Sequence, residues 1–179
     1  MNISVINGIN TFETYSGKMK KVFLGIGSNL GDRFKIIEEA KIRIEESVGK
    51  IVICSSVYQT EPWGFESQNE FLNIALCVET DLSPSGVLGR ILMIESQLGR
   101  LRNEKKYSSR NIDIDILLYS NKIVNEEALK IPHPYMAERR FVLVPLAEIA
   151  PGFIHPVLKK SMKSLLQSCS DKSNVVVFK

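Results

Sequence analysis

Two aspartates one residue apart, Asp113 and Asp115 in "RNIDIDILLYS", are the side chains best placed to do chemistry. Successive side chains of a strand point to opposite faces. Ile112, Ile114, Ile116 and Leu118 then share one face, and Asp113 and Asp115 share the other, with Leu117 and Tyr119 beyond them. Like charges so close disfavour joint ionisation unless a cation or solvent offsets them. A bare Asp-x-Asp commonly marks a solvent-facing edge strand, but this strand is too apolar for an edge. Arg100, Arg102, Lys105, Lys106 and Arg110 lie just upstream. Acids that hold Mg²⁺ beside bases that hold phosphate oxygens are what nucleotide chemistry requires. Positions i and i+2 lie about 6.5–7 Å apart at their bases. Carboxylates reaching inward from there could grip two ions about 3.5–4 Å apart.

A second pair, Phe71 and Asn73, shares one face of "FLNIALCVETD" directly after a Pro/Trp/Gly loop. An aromatic ring and an amide facing the same way can stack on a flat heterocycle and read its edge. Alone, both read equally well as core. "GIGSNLG" lacks the spacing of the dinucleotide fingerprint and the Lys-Ser/Thr of a P-loop. It reads as a glycine turn before a helix, with backbone N–H groups near whatever the sheet binds.

The elements that must carry these residues follow from periodicity. "KKVFLGIGSN" is a buried-strand run, and Asn29 or Asp32 can cap the helix that follows it, which Gly49 ends. "KIVICSSVYQT" is rich in strand formers, and "TEPWGFESQNE" is a loop. After the Phe71 strand, Ser83 and Pro84 open a helix with Val87, Leu88, Ile91, Ile94 and Leu98 along one stripe. The basic loop and the Asp strand come next, then a hairpin turn at "SNKIVN", Pro-broken helical pieces, a short helix near Ser161–Ser168 and a last strand, "VVVF". The order β-α-β-β-α-β predicts an α+β, ferredoxin-like sandwich: a mainly antiparallel sheet with helices on one face.

The totals set limits on partners. The 179 residues suit one domain, and a net charge of +3 is too mild for a duplex-binding surface yet suits an anionic small substrate. Cys54, Cys77 and Cys169 form no CxxC and read as reduced thiols of a cytoplasmic protein. Nothing approaches a membrane-spanning run. Residues 1–18 are polar and read as a disordered extension, with residues 19–179 as the single domain. An RNA-binding module of the same sandwich would show exposed aromatics on paired central strands, a signature missing here.

Taken in order, "GIGSNLGDR", "YQTEPWGFESQNEFLN", "IESQLGRLR", "RNIDIDILLY", "IPHPYMAERRFVLVPLAEIAP" and the "HP" at His155 give a set that resembles the 6-hydroxymethyl-7,8-dihydropterin pyrophosphokinases of folate synthesis. The resemblance covers roughly Lys21 to Ser168. It implies transfer of the β,γ-diphosphate of ATP to the pterin hydroxymethyl group, with ATP and the pterin as partners. A monomer is expected, with no nucleic-acid or membrane partner. It implies two Mg²⁺ on Asp113 and Asp115, with Arg100 and Arg110 also catalytic. ATP would meet Glu95, Arg100, Arg102, Arg110, Ile116, His133 and Arg139. The pterin would lie between Phe71 and Phe141, with Asn73 on its edge and Thr60, Pro62 and Trp63 lining its pocket. The chain departs from the family at "KYSSR", where Lys106 keeps a charge without a bidentate fork. Pro134 replaces a common tyrosine. The rival is another Mg²⁺-dependent nucleotidyl- or phosphotransferase on the same scaffold.

Overall fold

In the computed structural model the described residues are 19–64, 68–100 and 109–179. The extension assigned to residues 1–18 and the basic segment 101–108, which includes Arg102, lie outside them.

A nine-residue strand, β1 (Lys20–Ser28), runs through the middle of the sheet and leads into α1 (Arg33–Ser47). The Asp32 carboxylate caps that helix by accepting the Lys35 N–H at 3.1 Å. The apolar run after it divides into β2 (Lys50–Cys54) and β3 (Tyr58–Thr60), and both pair with the long β4 (Phe71–Thr80). Ser55 bridges the break: its N–H donates to the Ala75 carbonyl at 3.0 Å, and its hydroxyl accepts the Ala75 N–H at 3.0 Å. The ladder is thus kept across a change of direction. α2 (Pro84–Gln97) opens on the Ser83 cap, whose hydroxyl accepts the Gly86 N–H at 3.1 Å, and β5 (Asp113–Tyr119) closes the motif.

Strand order is β5-β1-β4-β3, with β2 also on β4 and every pairing antiparallel. This is the sandwich expected from the element order. The C-terminal third adds a small ribbon, β6 (Val124–Asn125) with β7 (Lys130–Ile131), then a 3₁₀ turn (Met136–Glu138), α3 (Arg140–Ile149), α4 (Met162–Ser168) and an edge strand β8 (Val175–Val177) on β3.

Two cores result. Ile37, Ala40 and Ile44 of α1 and Val87, Ile91 and Ile94 of α2 pack with Leu24, Ile26, Ile74 and Ile114 on one face. Leu143 and Leu146 of α3 and Met162 and Leu165 of α4 cover Phe23, Ala75, Cys77, Leu117 and Leu118 on the other. The expectation of helices on one face only is corrected: α3 and α4 form a third layer. A further correction concerns β5. A register shift opposite Phe23/Leu24 puts Leu117 and Leu118 on the same face and turns Tyr119 to the first core. A bulge of this kind inserts one residue and inverts the alternation beyond it. Among the described residues no helix is long and apolar enough to cross a membrane.

Candidate active site

The α3/α4 layer stops short of the end of β1, and there a cleft of about 670 Å³, mouth included, opens between the sheet and the start of α3. Its floor is a row across three strands. Phe71 and Asn73 come from β4, Gly27 and Gly25 from β1, and Asp113 and Asp115 from β5. Trp63, Arg139, Phe141 and Val142 line one wall together, and Thr60 stands beside Asn73.

Asp113 is braced by two guanidinium groups. Arg100 Nη1 lies 2.6 Å from Asp113 Oδ1 and also bonds Glu95 Oε1, while Arg110 Nη2 lies 2.5 Å from Asp113 Oδ2. Glu95, on α2, is buried behind the cleft and also accepts the Ile114 N–H at 2.8 Å. Burial raises its pKa despite the neighbouring Arg100 guanidinium and that N–H. Arg110 is pinned through its backbone: its N–H donates to Asn29 Oδ1 at 2.7 Å, and its carbonyl accepts the Asn29 N–H at 3.2 Å. Asn29 Nδ2 also donates to Ser109 Oγ at 3.0 Å, so the β1–α1 turn holds the start of the Asp strand.

Asp115 carries the electrostatic tension of the site. Burial first, and Asp113 second, push its pKa up from 3.8 to about 7, against the pull of Arg110 and Arg139. Among the described residues no three His, Cys, Asp or Glu side chains cluster as metal ligands. The pair is nonetheless a hard-oxygen donor set of the kind Mg²⁺ takes when phosphate oxygens and water complete its octahedron.

At the opposite wall the Arg139 guanidinium lies over three rings, 4.6 Å from the Trp63 centroid, 5.1 Å from Tyr135 and 5.9 Å from Phe141. Trp63 and Phe141 are tilted at 58° with centroids 6.5 Å apart. The residue that starts α3 is fixed from the far end of the chain, where Asp171 Oδ2 accepts the Arg140 N–H at 2.8 Å. His133 stands beside this wall. Its Nδ1 accepts the Tyr135 N–H at 3.3 Å, and burial, then the Arg139 charge, push its pKa down to about 4.

Thr60, Trp63, Phe71, Asn73, Arg110, Asp113, Asp115, Arg139 and Phe141 are therefore brought together around one cleft. Glu95 and Arg100 stand behind Asp113. Pro62 lies in the loop beside Trp63, and His133 touches β5 through its N–H to the Leu117 carbonyl at 2.9 Å. The Ile116 side chain points away from the cleft, into the core under α1 and α2. Gly25, Gly27, Glu61 and Leu117 line the cleft without having been singled out. Gly25 and Gly27 had a signal: the alternation Gly-Ile-Gly is a strand with one bare face.

Carboxylates braced by arginines at one side of an aromatic slot are the residue types that phosphoryl transfer onto a small flat molecule requires. The family model of 7,8-dihydro-6-hydroxymethylpterin-pyrophosphokinase matches residues 23–151, and the chain belongs to that family. It is 43% identical over 145 residues to the 2-amino-4-hydroxy-6-hydroxymethyldihydropteridine pyrophosphokinase of Aquifex aeolicus, covering 81% of this chain and 89% of that one. It is 44% identical over 137 residues to the protein of the same name from Methylorubrum extorquens (76% and 86% covered). Among solved structures, wild-type Plasmodium falciparum HPPK-DHPS with pterin and p-hydroxybenzoate superposes with a TM-score of 0.68 at 20% identity. The match covers 84% of this chain but 42% of that one, so this chain spans less than half of that two-part protein, and the likeness is one of fold.

Proposed function

We propose that this chain transfers the β,γ-diphosphate of ATP to the hydroxymethyl group of 6-hydroxymethyl-7,8-dihydropterin, releasing AMP, a step of tetrahydrofolate synthesis. Family membership and the two relatives support the reaction. The observation that carries it onto these residues is the single row Asn73–Gly27–Asp113, which joins a heterocycle pocket to a carboxylate pair.

The reaction joins the acceptor hydroxyl oxygen to the β-phosphorus, with the hydroxyl proton released to water, and breaks the bridge to the α-phosphorus, so the bridging oxygen leaves on AMP. Little covalent work falls to the protein, and positioning with charge neutralisation is its main task. Phe71 and Phe141 hold the pterin ring, Asn73 and Thr60 its edge, and Pro62 and Trp63 close the pocket. Arg100 and Arg110, paired with Asp113 in the free protein, turn their guanidinium groups to the phosphates of ATP, where a planar fork meets two oxygens at once. Glu95 keeps Arg100 in place. Arg139 completes the phosphate side, and Arg102 and the backbone at Ile116 belong to the same nucleotide end. His133 is neutral at pH 7. Since its Nδ1 is an acceptor, its proton sits on Nε2, from which it donates to the nucleotide. Asp113 and Asp115 would hold two Mg²⁺, and those ions supply neutralisation of the phosphate charge and alignment of the attacking and leaving oxygens.

Asp113→Ala and Asp115→Ala test the assignment. Each is expected to lower transfer at least about a thousandfold, the scale of losing one charge-stabilising group, with the circular dichroism spectrum unchanged. Wild-type turnover in either variant, or a collapsed fold, contradicts it.

A further inference from the structure

β1 is the middle strand of the site, yet at the two positions where it floors the cleft, Gly25 and Gly27, it carries no side chain. Gly27 sits opposite Asn73 on β4 and Asp113 on β5, and Gly25 sits opposite Ala75 and Asp115. Neighbouring strands lie about 4.8 Å apart, so the bare strip separates the Asn73 and Asp113 backbones by about 9.5 Å. Glycine inside a strand packs nothing and loses more backbone freedom than any other residue. Neither glycine has a positive φ, so no turn requires it. What remains is close approach of something else.

At Gly27 that something is identifiable. A Cβ there would lie 3.0 Å from Asn73 Oδ1 and 3.7 Å from Phe71 Cδ1, with no other heavy atom of the described residues within 4 Å. The amide cannot simply retreat, because Asn73 Nδ2 donates to Thr60 Oγ1 at 2.7 Å and both residues are buried. The same bond decides which end of the amide meets the cleft. Its nitrogen is engaged by Thr60, so its carbonyl oxygen lies over Gly27. Gly25 is different: the three atoms nearest to a Cβ there all belong to the Leu117 side chain, the first at 3.3 Å.

We infer that Gly27 is a positioning residue for the acceptor substrate. By lacking a side chain it leaves the Asn73 carbonyl oxygen over the cleft floor, where that oxygen accepts a hydrogen bond from an N–H on the edge of the heterocycle beside Phe71. This rests on the pyrophosphokinase reading and adds to it a residue that touches neither metal nor nucleotide.

The test is calorimetry on the full chain with Mg²⁺ and saturating α,β-methylene-ATP, titrated with 6-hydroxymethyl-7,8-dihydropterin. Wild type, Gly27→Ala, Asn73→Ala and the double variant are compared. Gly27→Ala is expected to melt within about 5 °C of wild type, since restricting the unfolded chain offsets part of the cost of displacing the buried amide. It should bind the ATP analogue within about twofold of wild type and the pterin at least about tenfold more weakly, the scale of one misplaced buried acceptor. In the Asn73→Ala background the same change should cost less than about threefold, because the group it displaces is gone. Unchanged pterin affinity in Gly27→Ala overturns the inference. So does a tenfold loss that persists without Asn73, which would mean the methyl obstructs the ligand directly. If Gly27→Ala does not fold, the double variant decides: one that folds and binds the pterin as Asn73→Ala does shows that the methyl acts through the amide, and one that does not fold overturns the inference. A wild-type chain that binds no pterin contradicts the proposed function instead.

Discussion

Asp115 is where the site's chemistry and the protein's stability meet. With its pKa pushed up to about 7, chiefly by burial and then by Asp113, the folded chain holds this proton more tightly than the unfolded chain does. The group's contribution to stability is therefore complete below the unfolded value of 3.8 and is lost as pH rises through about 7. Asp115→Asn removes that loss. Without Mg²⁺, its melting temperature should exceed that of wild type by about 5–10 °C more at about pH 8 than at about pH 5. His133, pushed down to about 4, titrates with the opposite sign, but it is common to both proteins and cancels in the difference. A difference that does not change with pH contradicts the reading of Asp115 as a strained carboxylate. At this scale the chain was legible where chemistry shows as residue type. Asp113, Asp115, Phe71 and Asn73 announce themselves by period-2 spacing, and the arginines by clustering. Asn29 and Gly27 do not, because their work is to hold another residue's backbone or amide, a property of register and not of type.

The elements were readable wherever one period dominated. The Asp32 and Ser83 caps, the stripe of α2 and the long β4 all form where pattern and capping agree. Three features escaped. The run from Lys50 to Thr60 breaks at Ser55, and the cause is tertiary: a serine side chain stands in for a ladder bond to Ala75. The bulge at Leu117 inverts β5 although its sequence alternates smoothly, because the partner strand sets the register. The helices α3 and α4 could be seen as pieces but not placed on a face, since the core they cover is supplied by residues from three separate strands, β1, β4 and β5. The Ser55 bridge makes a prediction at this scale. Ser55→Ala leaves the buried Ala75 N–H without its acceptor and should lower stability by about 1–2 kcal/mol in urea unfolding. A loss below about 0.3 kcal/mol would mean that the two halves of the strand pair with β4 independently of the serine.

For the molecule as a whole, one fold unit carries the entire cleft, and the strand at the middle of its floor begins at Lys20. The family match begins at residue 23, and the sequence of residues 1–18 has no helical or strand periodicity strong enough to bury a face. A chain lacking residues 1–18 is accordingly expected to keep its turnover and its melting temperature within about 2 °C, less than the shift that about 1 kcal/mol produces at this size. A larger drop would show that the extension docks on the domain and belongs to it. The central claim concerns which phosphorus is attacked, and the product states it directly. Incubated with Mg²⁺, ATP and 6-hydroxymethyl-7,8-dihydropterin, the chain should yield AMP and the pterin diphosphate in equal amounts by ³¹P NMR. Formation of ADP and a pterin monophosphate, or ATP left intact, would contradict the account.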